Sequence, residues 1–355
     1  MFETSRNVTQ SLGYRTRSIT SNMSRNPASY VFSIRNLLKV RRELRQHTPR
    51  VIHVHNYYHY LSPSILWAIS RYKNSNPNVR VVFTAHDYHL ICPNSGLQYF
   101  KNGQPVNYSS LQRGIKWYHS FDRRSRVHSS MKALQHFLAY TVLKLDRVFD
   151  RIITPSELIK ETFINWGIRA PIYLVRNPVD VGPPTGSPGE GLVALTRLHA
   201  EKGLAEFIQA LEAERYQCSL DIYGDGPERS RLNEIGLTCE YVKVNVHGHV
   251  AHADVPEILS KHRALVYPST WLENAPIALI EAAQRGLSLV VPKIGGVYEM
   301  ASLAANVNSY DPTKPNEIRN AVESALHAQY PNYILEPADF SIDAYAQMLK
   351  TIYTR

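Results

Sequence analysis

The sequence predicts an α/β protein of two doubly wound domains, and three observations carry the prediction. Short, nearly continuous apolar runs rich in β-branched residues alternate with stretches of helical periodicity. The alternation comes in two sets. A break rich in Pro, Gly and Ser separates the sets, and its composition sustains neither helix nor strand. Near-continuous apolar strands separated by helices imply parallel sheets covered on both faces.

In the first set, VIHVH (51–55), VRVVFTA (79–85), RIIT (151–154) and IYLV (172–175) read as buried strands, preceded by a strand at RTRSIT (15–20). In the second set, GLVALT (191–196), SLDIYG (219–224), VKVNVHG (242–248), ALVYPS (264–269) and LSLVVP (287–292) do the same. Helical patterns fall near 30–46, 62–74, 129–146, 156–166, 202–214, 254–262 and 275–285, and the chain closes on the helical pattern of 340–355. The break NPVDVGPPTGSPGEG (177–191) gives the domain organisation. A first domain covers 1–178, a linker 179–190, a second domain 191–338, and 339–355 forms a terminal helix returning to the first domain. Two such domains facing one another place a cleft at the carboxyl ends of both sheets, where open α/β sheets bind ligands.

A chain of 355 residues is long enough for two cores. No apolar run approaches the length that crosses a bilayer. The opening MFETSRNVTQSLGYRT lacks an apolar signal core, and three widely spaced cysteines make no disulfide framework. The expectation is a cytoplasmic protein with reduced thiols. Charge is uneven. Residues 1–150 hold 22 Lys and Arg against 6 Asp and Glu, whereas residues 151–355 hold 18 against 24. A basic half attracts polyanions, including anionic lipid headgroups, so peripheral contact with the inner face of a membrane is expected.

The second set carries the stronger chemistry. In GLVALTRLHAEKGL a strand is followed by Arg197, then by Lys202 and Gly203 where a helix begins. Two cations and the positive end of a helix dipole suit a diphosphate. In DIYGDGPERSRL the turn Gly224, Asp225, Gly226, Pro227 allows close backbone approach to a ligand. In WLENAPIALIEAAQRG, Glu273 stands where a helix is expected to start near Asn274–Pro276, and Glu281 follows eight residues later, about two turns along the same side. The backbone N–H groups of Asn274, Ala275, Pro276's successor Ile277 and their neighbours face the same place. Glu281 lies in the apolar stretch IALIEAA, and a carboxylate on an apolar face needs a partner. Gly295, Gly296 and Glu299 form a further glycine-rich turn.

Taken together, these motifs resemble the donor-binding domain of glycosyltransferase family 4, retaining enzymes with two Rossmann-like domains in the GT-B arrangement. The wording PSTWLENAPIALIEA resembles a subgroup of bacterial polysaccharide and glycan assembly. The resemblance implies that Arg197 and Lys202 hold the donor diphosphate, Glu281 the ribose hydroxyls, and Glu273 the donor sugar. It implies backbone contacts from Asn274, Ala275, Pro276 and Ile277, and it places Gly224, Asp225, Gly226, His247 and Gly248 beside the nucleotide base. His86, in VVFTAHDYHLICPNSG, would contact the sugar. The donor would be a UDP- or GDP-sugar, the acceptor a glycan or lipid-linked glycan, and no metal is expected. The family opens on a strand and a Gly-rich loop, whereas this chain opens in the helical pattern ETSRNVTQSLGY. The expectation is a shortened acceptor side.

Rival readings exist. His53 and His55, with His86 and His89 downstream, have spacing that fits a divalent-metal hydrolase. A glycosyltransferase-like protein that binds a sugar nucleotide or polyanion without turnover is a second rival. Nucleic-acid binding is weaker, since the basic half holds no recognisable nucleic-acid module.

Overall fold

The computed structural model describes residues 2–20, 26–179, 189–329 and 340–354. They form two compact units, Met1–Asn177 with Ile342–Arg355, and Pro178–Ser341. Most of the predicted linker, and the end of the predicted second domain, lie outside the described residues.

In the first unit the strands are β1 (Val51–His55), β2 (Arg80–Thr84), a hairpin of β3 (Gln98–Lys101) and β4 (Gln104–Asn107), then β5 (Arg151–Thr154) and β6 (Ile172–Leu174). β1, β2, β5 and β6 form one parallel sheet in that order. Its strands step in one direction, so right-handed crossovers place their helices on one face. Phe83 points to that face, where its ring meets Tyr57 and Phe149. Val82 and Ile153 point the other way, as strand alternation requires. That second face is covered by the first and last helices, Phe2–Ser11 and Ile342–Thr354, through Val8, Tyr345, Leu349 and Ile352. Ser5 and Tyr345 share a 2.6 Å hydrogen bond between hydroxyls. Arg80 donates to the Tyr353 carbonyl at 2.8 Å, and Arg151 donates to the Ile352 carbonyl. These are among the carbonyls a helix leaves without intrahelical partners, at the end where cations are favoured.

The second unit holds β7 (Leu192–Leu195), β8 (Cys218–Tyr223), β9 (Val242–Gly248), β10 (Ala264–Val266), β11 (Ser288–Pro292) and β12 (Val307–Tyr310). All are parallel, in the order β12-β11-β10-β7-β8-β9. Alternate residues feed two cores. Leu192, Ala194, Leu220, Ile222 and Val290 pack under helices Leu204–Ala213 and Pro315–His327. Val193, Leu265, Leu289 and Val291 pack under Val255–Ser260, Ile277–Gln284 and Gly295–Ala301. The chain moves outward from β7 through β8 and β9, then returns to β10 on the other side. β7 and β10 therefore flank the switch point, and the crevice at their carboxyl ends is where such sheets bind ligands.

Four predicted details differ. Residues 15–20 form no strand. Lys39 donates to the Thr20 carbonyl at 2.7 Å and Arg17 meets Glu43 at 3.3 Å, so side chains of helix Ile34–His47 hold this segment instead of a neighbouring strand. The helix predicted over 129–146 is α-helical over Arg126–His136, π-helical over Phe137–Val142 and 3₁₀ over Leu145–Val148. Strand β12 and helix Pro315–His327 were not expected. The helix predicted to start near Asn274–Pro276 opens at Ile277, so Glu273 stands in the loop before it and not at its entry.

Candidate functional site

The carboxyl ends of β7 and β10 bring together residues far apart in sequence. After β7, a 3₁₀ turn at Ala200–Lys202 presents Lys202, and Gly203 follows at φ 67°. A Cβ at Gly203 would lie 2.2 Å from the Pro268 carbonyl oxygen, so only glycine lets this loop meet the one after β10. The Glu201 carbonyl then accepts from the Thr270 N–H at 3.0 Å, joining the loops. Lys202 is 5% exposed. Its Nζ pairs with the Glu273 carboxylate and lies 3.3 Å from the Tyr267 hydroxyl. Burial works against the ammonium charge, but Tyr267 and Glu273 outweigh it and hold the Lys202 pKa above its ordinary value. The Ser269 hydroxyl donates to Glu273 Oε1 at 3.1 Å.

Glu273 is fixed from behind. The Gly296 N–H donates to its carbonyl at 3.1 Å, and a Cβ at Gly296 would come within 1.9 Å of the Asn274 carbonyl oxygen. The glycine-rich turn after β11 thus clamps the loop that carries Glu273. Ala275 and Ile277 pack partly on the second core, and Pro276 supplies no capping side chain to the helix that follows.

Glu281 is 8% exposed on that helix, and burial raises its pKa. The His252 imidazole lies 3.6 Å away, on a side chain that is 82% exposed. Arg285, itself buried, donates to the Glu281 carbonyl at 3.1 Å and its charge opposes the burial effect on the carboxylate. Arg197 is exposed and forms no ion pair among the described residues. The turn of Gly224, Asp225 and Gly226 abuts the segment after β7. Asp225 O accepts from the Leu198 N–H at 2.9 Å, and Gly224 N–H donates to the Gly248 carbonyl at 2.7 Å. His247 is turned to Asp221, at 2.9 Å, and its ring stacks on Tyr223. Asp221 also accepts from Asn245 and meets the buried His262.

In the first unit, His86 lies beyond the carboxyl end of β2. Its Nε2 is 3.0 Å from His55 Nδ1, so one ring donates to the other. His53 meets the Tyr353 hydroxyl at 2.6 Å and the Thr84 hydroxyl at 2.7 Å. Burial lowers the pKa of His53 to about 3 and of His86 to about 4. The histidines face hydroxyls and one another, and His89 lies flat against Tyr58 with ring centroids 3.6 Å apart. Among the described residues, no group of three or more His, Cys, Asp or Glu is arranged to hold a metal ion.

The motifs therefore bring Lys202, Glu273 and the turn around Gly224 to the ends of the central strands. Sequence reasoning missed Tyr267, Ser269, His252 and Arg285. Ser269 and Tyr267 stand in the quoted motif and Arg285 in the helix after it, but their partners lie far off in sequence. His252 carried no local signal.

Residues 5–182 match the sequence model of Glycosyltransferase Family 4, and residues 188–345 match that of Glycosyl transferases group 1. No curated protein matches by sequence. Solved structures similar in fold include HepE of Anabaena in complex with UDP and glucose, at 18% identity over 90% of this chain and 81% of that one, with a TM-score of 0.59. The apo lipopolysaccharide outer core galactosyltransferase WaaB matches at 16% identity over 92% and 81%, with a TM-score of 0.57. Sucrose-phosphate synthase of Thermosynechococcus elongatus matches at 15% identity over 89% and 76%, with a TM-score of 0.61. The two α/β units are those of the GT-B fold.

Proposed function

Because the chain belongs to glycosyltransferase family 4, we propose that it is a retaining enzyme that moves a sugar from a UDP- or GDP-sugar to a glycan or lipid-linked acceptor. The observation that carries this reading is the buried Lys202 paired with Glu273 at the switch point of the second sheet. HepE of Anabaena, similar in fold, has been solved with UDP-glucose, which supports a sugar-nucleotide donor.

In this reading the acceptor hydroxyl attacks the anomeric carbon on the face that the nucleotide leaves. The new glycosidic bond forms as the bond to the phosphate oxygen breaks, and that oxygen takes the acceptor proton. Negative charge develops on the departing diphosphate, and Lys202 and Arg197 meet it. These cations serve where a metal ion would otherwise do so, and the reaction is proposed to need none. Glu281 takes the ribose hydroxyls, with His252 beside it. His86 is assigned to the donor sugar by its motif. A lipid-linked acceptor would be met at a membrane surface, and the basic helix Ile34–His47 supports a peripheral position on an anionic one.

Calorimetry with a panel of UDP- and GDP-sugars, run beside a donor-hydrolysis assay in the presence of a chelator, tests the reading. One sugar nucleotide is expected to bind and to be turned over slowly. Binding without turnover under any condition would contradict an enzyme, and turnover lost on chelation would contradict the metal-free proposal.

A further inference from the structure

We propose that Glu273 is the counter-ion of Lys202 and makes the site select the sugar ester of a nucleoside diphosphate over the bare diphosphate. The inference rests on the donor-site reading and adds a discrimination to it.

A buried ammonium needs a partner, since an unpaired charge there is costly. Among the described residues, Lys202 has two polar side-chain neighbours, the Tyr267 hydroxyl at 3.3 Å and the Glu273 carboxylate. Only Glu273 balances its charge. The carboxylate cannot drift away, because Ser269 holds its Oε1 at 3.1 Å and Gly296 holds its backbone. A diphosphate that reaches Lys202 therefore also reaches a fixed negative group.

The two candidate ligands differ there in charge and in hydrogen-bond donors. In a sugar nucleotide the terminal phosphate is esterified, carries one negative charge and brings sugar hydroxyls that can donate to the carboxylate. In the nucleoside diphosphate the terminal phosphate carries up to one charge more and brings no such donor. The same carboxylate thus attracts the substrate and repels the product, which favours release once the sugar has left. Glu273 is a specificity-determining residue in this account as well as a sugar contact.

Calorimetry on the full chain with UDP, GDP and inorganic pyrophosphate tests the proposal in the native protein and in Glu273→Gln, Glu273→Asp and Lys202→Ala. Glu273→Gln keeps the shape and removes the charge, and it is expected to bind the preferred nucleoside diphosphate about tenfold more tightly. Glu273→Asp keeps the charge and should show no such gain. Lys202→Ala should weaken the diphosphate. Unchanged or weaker diphosphate binding in Glu273→Gln, with Lys202→Ala still weakened, would overturn the counter-ion role while leaving the donor site standing. Absence of diphosphate binding in every protein, with pyrophosphate equally inert, would overturn both.

Discussion

Glu281, proposed above to take the donor's ribose, is a side chain at which function would be set against stability. Its carboxylate is buried in an apolar helix, and burial raises its pKa despite the nearby His252 and Arg285. A group whose pKa is raised by folding favours the folded state at low pH and loses that contribution as pH rises through its folded value. At neutral pH the charged carboxylate is therefore a burden on the ligand-free fold, the kind of cost that functional sites carry. Glu281→Gln is expected to raise the melting temperature of the free protein at neutral pH. Glu281→Ala is expected to raise the Michaelis constant for the donor with a much smaller effect on kcat, because the proposed ribose contact would be shared by ground and transition states. Thermal scans and steady-state kinetics measure both. A kcat loss with unchanged Michaelis constant would move Glu281 out of nucleotide binding.

The elements explain what could be read from the sequence. β7 and β10 were legible because their residues are apolar at every position, and β11 because it is so after Ser288, as a strand covered on both faces requires, while β8 was legible from Leu220, Ile222 and Tyr223. β12 was not legible, since VNSY is half polar and reads as a loop. The hairpin β3–β4 went unread for the same reason, as QPVN is largely exposed. The motif at 266–300 gave the candidate residues but set the helix start near Asn274–Pro276, closer to Glu273 than the observed Ile277. The position of Glu273 depends on Gly296 and Lys202, and the Lys202 contact spans 71 residues that no local pattern reports. The histidines at the ends of β1 and β2 were read as metal ligands in one rival scheme, because spacing shows proximity but not which way a ring nitrogen points.

Those elements also set an acid limit. Burial lowers the pKa of His53 to about 3, of His136 to about 3, and of His59 and His86 to about 4, and takes His55 and His89 well below the ordinary 6.5. Groups depressed by folding contribute stability that is present above pH 6.5 and is lost as pH falls toward their folded values. Asp87, raised by burial to about 6, acts in the opposite sense, as do Asp146 and Glu281, whose pKa values burial also raises, but these three are outnumbered by the six histidines. Denaturant midpoints are expected to fall steadily between pH 6.5 and pH 4, with several protons taken up on unfolding. A flat midpoint across that window would contradict the burial of this histidine cluster.

At the scale of the molecule, the uneven charge is a statement about surfaces. Helix Ile34–His47 buries Val40 and Leu44 and leaves Ile34 and Leu38 exposed beside Arg41, Arg42 and Arg45. An exposed apolar pair among arginines suits an anionic interface, each cation there contributing about 1 kcal/mol. No helix among the described residues is long and apolar enough to cross a membrane. Sedimentation with anionic vesicles at low salt is expected to carry the protein down, and reversal of Arg41, Arg42 and Arg45 to glutamate should leave it in the supernatant. Equal partitioning of both proteins would rule this helix out as the contact.

The central claim is that Lys202, held by Glu273 at the end of the second sheet's central strands, stabilises a departing diphosphate. Single-turnover kinetics of Lys202→Ala with the donor identified by the panel tests it most directly. The account predicts a fall in the rate of sugar transfer of about two to three orders of magnitude, the size typical of one preorganised electrostatic group, measured at a temperature where the variant is fully folded. A Lys202→Ala protein that transfers sugar at a near-native rate would contradict it.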